Sequence, residues 1–265
     1  MSDNRQQYLD KYSDYQSSID TILAWKAKFL TEISEDDPGE LALSKLKLAN
    51  ATLDLFSYYI ILNTLSSSLL KKKNEDIINN ARKSFLNAIT LMEEVVSPFL
   101  DAPYGDYEDK LELIASFSAQ ERYVLVRKLG LSFALLKAAY GENPKWKWML
   151  VDLEGRSITV TKNFIDLKKA VSNTDLRSPD YEPTACHLRL IKNLLPKGAN
   201  TFRERYEIIS HSEDDFKKSI DFLSSLRYLY SVLGEGDNAE ATKRKIEAWN
   251  DKLKKDMKNK ENGAA

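Results

Sequence analysis

Histidine, the side chain that most often moves protons near neutral pH, occurs only at His187 and His211 in these 265 residues. The single cysteine, Cys186, precedes His187, which puts a nucleophile beside a base in the sequence. Adjacent residues of a helix diverge by about 100°, so this pair does not face one reaction centre, and the cysteine reads as a small hydrophobe. Glu207 and His211 stand four residues apart on one helix face, but one carboxylate and one imidazole make half a metal site. The chain has no HExxH, CxxC or paired ExxH. Its GEGDNAE run has two glycines of a GxGxxG, lacks the third, and carries acids that repel phosphate. Carboxylates at three- and four-residue spacing are plentiful, as on any solvated helix face of a chain with 30% charged residues. The expectation is no catalytic residue, no metal ligand and no cofactor, hence not an enzyme; a helical enzyme using dispersed carboxylates is the third reading.

Chemistry of contact is better represented. Residues 143–150 read NPKWKWML, where Asn143 can cap a helix and Pro144 suits its first position. Trp146 falls in a stripe with Met149, Leu150, Leu153, Val160, Phe164, Leu167 and Val171, a core face. Trp148 points about 200° away and joins Val151, Ile158 and Ile165 in a second stripe, to be covered by another helix or by a partner. Candidate partner-binding residues are therefore Trp148 with Lys145 and Lys147, and Tyr104 and Tyr107 in the acidic loop PFLDAPYGDYED, because Trp and Tyr bring large contact area at modest entropic cost. The partner is expected to be a protein, or a second copy of the chain. Nucleic acid is not expected: 39 Lys plus Arg against 40 Asp plus Glu leave a net charge of -1, without the basic excess that phosphate neutralisation needs. The triplet Lys71 to Lys73 reads as a solvated helix end.

These residues must be positioned by helices. Gly (9) and Pro (7) are scarce and gather between long periodic segments, which suits helices joined by short connections. Residues 6–33 place Leu9, Tyr12, Ile19, Ile22, Leu23, Lys26 and Leu30 at amphipathic spacing and stop before SEDDPG. Residues 40–70 are apolar around the circumference and predict a central helix, and a third helix spans 76–96. Ser118 and Glu121 form a capping-box pattern ahead of VLVRKLGLSFALLKAAY, in which Gly130 is a mild weakness of a kind often tolerated where two helices approach closely. RSITVTKNF alternates and carries β-branched residues, which leaves a short strand or hairpin open there. Beyond Pro179 and Pro183, helices are expected at 184–195, 200–209, 213–233 and 238–255, followed by a polar tail.

The fold class is all-α, with about eight to ten helices in antiparallel hairpins, as an elongated bundle or two helical lobes. The organisation divides as 1–97 N-terminal helical hairpins, 98–117 loop, 118–172 central hairpin, 173–255 C-terminal helices and 256–265 disordered tail, or as one domain throughout. No apolar stretch reaches the about 20 residues of a transmembrane helix, and MSDNRQQYLDKYSDY has no apolar signal region. The expected compartment is the cytoplasm, or the periplasm if a leader was removed before the numbering begins.

Two stretches resemble the tetratricopeptide repeat, a helix hairpin of about 34 residues. ARKSFLNAI supplies Ala81, Phe85 and Ala88 at the spacing of its second helix, and LRYLYSVLGEGDNAEA supplies Leu226, Tyr230, Gly234 and Ala239. The first copy lacks the turn glycine; the second has Lys243 where an aromatic belongs and Ile246 where an alanine belongs. The resemblance implies a protein-binding superhelix without catalysis. The expected function is a noncatalytic helical scaffold or adaptor, with a structural subunit of a polymeric assembly, such as a filament coat or sheath, as the alternative.

Overall fold

The computed structural model describes residues 2–34, 36–141 and 144–263, and the side chains of all of these except residues 2, 3, 144, 145 and 261–263. Among the described residues there are ten α-helices and no strand, so the chain is all-α. They are α1 Ser2–Glu32, α2 Pro38–Leu69, α3 Glu75–Val95, α4 Glu108–Leu113, α5 Ala119–Tyr140, α6 Pro144–Asn163, α7 Leu167–Ser172, α8 Tyr181–Arg205, α9 Glu213–Val232 and α10 Gly236–Gly263. Among the described residues no helix is long and apolar enough to cross a membrane. The helices form two compact units, Met1–Pro98 with Tyr107–Val160, and Phe99–Asp106 with Thr161–Ala265.

The first unit is built around α2. Pro38 opens that helix, and the Asp37 carboxylate accepts from the Gly39 and Glu40 N–H groups at 2.8 and 3.3 Å. Being apolar all round, α2 packs against α1, α3, α4 and α5. The turn into α3 is tied back onto α2: Asn63 Oδ1 accepts from the Asn74 N–H at 3.2 Å and Ser66 Oγ donates to Lys72 O at 2.8 Å. Phe85 of α3 meets Phe56 of α2 and Phe133 of α5 at ring separations of 6.0 and 5.9 Å. Since Tyr140 at the other end of α5 stands near Asn79, α3 and α5 run antiparallel. The expected capping box is present: the Glu121 N–H donates to Ser118 Oγ at 3.2 Å and the Ser118 N–H to Glu121 Oε2 at 2.8 Å. Buried Arg122 donates to the carbonyls of Phe117, Ile114 and Leu111 at 2.9, 2.8 and 3.3 Å, satisfying the end of α4 that its six residues cannot. In α6, Arg156 makes a bidentate pair with Glu93 of α3 at 2.8 and 2.6 Å.

In the second unit α8 packs on α9, and α9 on α10. Phe202 and Phe222 stack at 5.5 Å, and Phe216 stands between Tyr206 and Trp249. Gly234, at φ +73, lets the chain reverse between α9 and α10. Segment 99–106 is held by side chains from the end of α6, the start of α7 and α9. Asn163 Nδ2 donates to Phe99 O at 3.0 Å, Lys162 Nζ and Ser225 Oγ to Leu100 O at 3.0 and 3.1 Å, and Tyr104 OH to Asp166 Oδ1 at 2.8 Å.

The structure corrects several sequence expectations. The strand left open at RSITVTKNF does not form: its first eight residues are helical, as the stripe through Val160 predicts, because burial of Ile158 and Val160 overrides a β-branched alternation. Residues 184–209 do not split at Pro196: α8 runs through it, with Leu195 and Ala199 buried on either side, and ends in a π-helical turn over 206–210. Val171 lies on short α7 and is exposed, since α6 ends at Asn163 and the stripe does not continue in phase. Gly130 marks no close approach; a Cβ there would meet nothing within 4 Å. Helix α10 continues past Lys255 to Gly263.

Candidate functional site

The structure separates the residues singled out from sequence. Trp148 and Lys147 stay together, with Lys147 Nζ 4.7 Å from the Trp148 ring centre, the indole half-buried and the lysine exposed. The Lys145 side chain, and Asn143 as a cap, lie outside the described residues. Tyr104, in the second unit, is half-buried and spends its hydroxyl on Asp166, which also caps α7 by accepting from the Lys169 N–H at 3.1 Å. Burial alone would raise the Asp166 carboxyl, but these hydrogen bonds and the Lys169 charge hold it below its ordinary value. Tyr107, in the first unit, is 2% exposed and belongs to the core, so it offers a partner no surface. The acidic loop is an anchored segment.

Trp146 is also less buried than its stripe predicts. Its ring lies 5.0 Å from that of Tyr140, and both line a cavity of about 330 Å³ with Lys73, Glu75 and Asn79. Lys73, the last of the lysine triplet, donates to Ala139 O at 3.2 Å, where it serves the C-terminal carbonyls of α5. Burial pushes the Tyr140 phenol up, against the pull of Arg82.

Sequence reasoning missed the outer face of α5. Val124, Leu131 and Leu135 are 49%, 57% and 48% exposed, and Ala134 and Ala138 are exposed beside them. They lie opposite Leu125, Leu129, Phe133 and Leu136, which face the core of the first unit. A helix apolar on two opposite sides needs a second cover. The signal was present as Val124, Leu131, Leu135 and Ala138 at helical spacing. It was hidden because the core residues share the helix and only tertiary packing tells the two sides apart. Arg127 is exposed beside the stripe, while Lys128 on its other flank is engaged by Asp54 at 2.7 Å and by Asn50.

Residues 4–257 match one family profile, so the match runs through both units. The chain belongs to the TP0443 family. No curated protein and no solved structure matches it. What the comparisons show is the TP0443 family, and no tetratricopeptide family is shown.

The second unit of this TP0443-family chain holds a further cavity of about 320 Å³. Its lining includes Leu100, Pro103, Lys162, Asp221, Ser224 and Tyr228. On Lys162 loss of water outweighs the opposing effect of the Asp101 carboxylate, also in the lining, and brings the ammonium down to about 8. Asp221 is pushed up by burial and by the Asp101 charge, with Lys217 pulling it down. Among the described residues no group of three or more His, Cys, Asp or Glu is placed to hold a metal. Glu207 accepts from Arg203 at 2.9 Å, and the ring of His211 packs edge-on against Tyr206. His187 is buried with Nε2 2.9 Å from Thr161 O, and because a carbonyl only accepts, that nitrogen carries the proton.

Proposed function

We propose that this chain is a noncatalytic helical scaffold or adaptor that binds another protein through the outer face of α5. The observation that carries the reading is the exposed apolar stripe Val124, Leu131 and Leu135, set opposite a fully packed core face. The stripe is one helix wide and covers about four turns, which suits an amphipathic helix laid along it, with Ala134 and Ala138 allowing close approach. Three large residues on one helix fall well short of the about 800 Å² per partner of a stable standard interface, which disfavours a self-standing dimer through this face. Arg127 at the edge favours a partner with an acid beside its apolar side. The hairpin turn at Gly234 and the burial of Ala81, Phe85 and Ala88 are compatible with the stacked hairpins that the tetratricopeptide resemblance implies.

The experiment is affinity purification from the native source with the wild-type protein and Leu131→Asp side by side, with thermal melts of both. The expected result is a protein recovered by the wild type and lost by the variant at unchanged melting temperature. Identical recovery by both would remove α5 as the binding face. A scattering mass that grows with concentration, and that Leu131→Asp abolishes, would favour the polymeric-subunit alternative.

A further inference from the structure

The cavity of about 330 Å³ in the first unit joins two kinds of recognition chemistry. One side is aromatic. Tyr140, the last residue of α5, and Trp146, in the first turn of α6, stand with ring centres 5.0 Å apart and planes inclined at 39°, so the rings meet as a corner instead of stacking flat. Ile78 and Ala139 extend this apolar lining. The other side is charged: Lys73, ahead of α3, and Glu75, its first residue, both line the space with exposed side chains. The Lys73 amine is fixed at the rim, where it donates to Ala139 O at 3.2 Å and stands 3.4 Å from the place a Cβ on Gly141 would occupy. One of its three N–H donors is used by that carbonyl. Among the described residues, Lys73 and Glu75 form no ion pair with each other or with any other group.

We propose that this cavity binds a small zwitterion whose cation is an alkylated ammonium, with the ammonium in the Tyr140 and Trp146 corner beside Glu75 and the anionic group on Lys73. Alkyl groups spread the positive charge over a weakly hydrated surface, which the faces of indole and phenol rings attract without stripping tightly held water. Glu75 adds a carboxylate of opposite sign on the same cavity. A simple cation would also meet the Lys73 charge, and a simple anion the Glu75 charge. Only a ligand carrying both signs finds a partner for each and leaves neither side chain facing its like. The volume lies at the lower end of small-molecule sites, which suits a molecule of this size. Free betaine-type solutes and the headgroup of phosphatidylcholine share this chemistry. None of the lining belongs to the Val124, Leu131 and Leu135 stripe, so this inference stands apart from the α5 face, and Leu131→Asp should leave it intact.

The test uses the isotope-labelled full chain, whose four tryptophans give separate indole N–H resonances. Titration with phosphocholine or glycine betaine should shift the Trp146 signal, assigned from Trp146→Phe, and leave those of Trp25 and Trp249 in place. Choline, which lacks the anion, should bind at least about threefold more weakly than phosphocholine, the scale expected of a hydrated charge pair. Lys73→Gln should remove that difference, and Glu75→Gln should weaken both ligands by a similar factor, each at unchanged melting temperature. Sedimentation with phosphatidylcholine vesicles separates the sources: a chain that pellets with them and is released by phosphocholine takes the lipid headgroup, and one that binds phosphocholine but stays in solution takes the free zwitterion. A Trp146 signal that neither zwitterion moves would overturn the proposal. So would choline binding as tightly as phosphocholine, or affinities that Lys73→Gln and Glu75→Gln leave unchanged.

Discussion

At the scale of single residues, burial decides what a charged group does. Lys162 has a folded value of about 8 against 10.5 for the free side chain. Between those values the unfolded chain binds a proton that the folded chain does not, so stability rises with pH across the window, by up to about 3 kcal/mol in total. Tyr206 acts oppositely: its phenol is pushed up to about 12 by burial and Asp256, so its contribution is lost as pH rises above 10. Urea melts of the wild type and Lys162→Met between pH 8 and 10 separate the two effects. The wild type should gain stability relative to the variant across that range, and parallel curves would show that Lys162 is not desolvated. Arg205 and Asp215 form a bidentate pair at 3.0 and 2.5 Å with both side chains largely buried. Asp215→Ala should cost about 3 kcal/mol, because it strands the guanidinium in a poorly hydrated place. A loss below about 1 kcal/mol in a denaturant melt would mean that water reaches the arginine readily.

At the scale of helices, local rules hold at the ends and yield in the middle. Asp37, Asn74 and Ser118 cap α2, α3 and α5 as their residue types dictate, because a cap involves only a few neighbouring groups. Pro196 does not stop α8, since the helix buries Leu195 and Ala199 on both sides of the missing hydrogen bond. Gly130 is the reverse case, a weak residue with no compensating contact. Gly130→Ala should therefore stabilise the chain by about 1 kcal/mol, as alanine replaces glycine inside a helix with open space around it. A higher urea midpoint with unchanged slope is the expected reading, and a lower midpoint would reveal an unseen neighbour on α5.

At the scale of the whole chain, the units differ in what they present. The first exposes an apolar helix face, and the second carries an open, largely apolar cavity with Lys162, Asp101 and Asp221 in its lining. Among the described residues no group of three or more His, Cys, Asp or Glu is placed to hold a metal; Glu207 is engaged with Arg203, and His187 is turned to a backbone carbonyl. Elemental analysis of the purified protein should find less than one zinc or iron per chain. One per chain, lost on changing Glu207 or His211, would reopen the metal reading.

The all-α class, the capping-box start of α5 and the central position of α2 followed from sequence alone, because 3.6-residue periodicity, capping chemistry and an apolar circumference are properties of consecutive residues. What sequence could not decide is which of two apolar sides is covered. On α6 both stripes are buried from Leu150 onward, the second of which was expected to be covered by another helix or by a partner. On α5 one side remains open, a face the sequence reading did not single out. Nor could spacing reveal the Lys162 cavity, whose members come from segment 99–106, the end of α6 and α9. Periodicity reports the faces a helix has; only the packing of other helices against them determines which are core, which are surface, and which polar groups end up near one another.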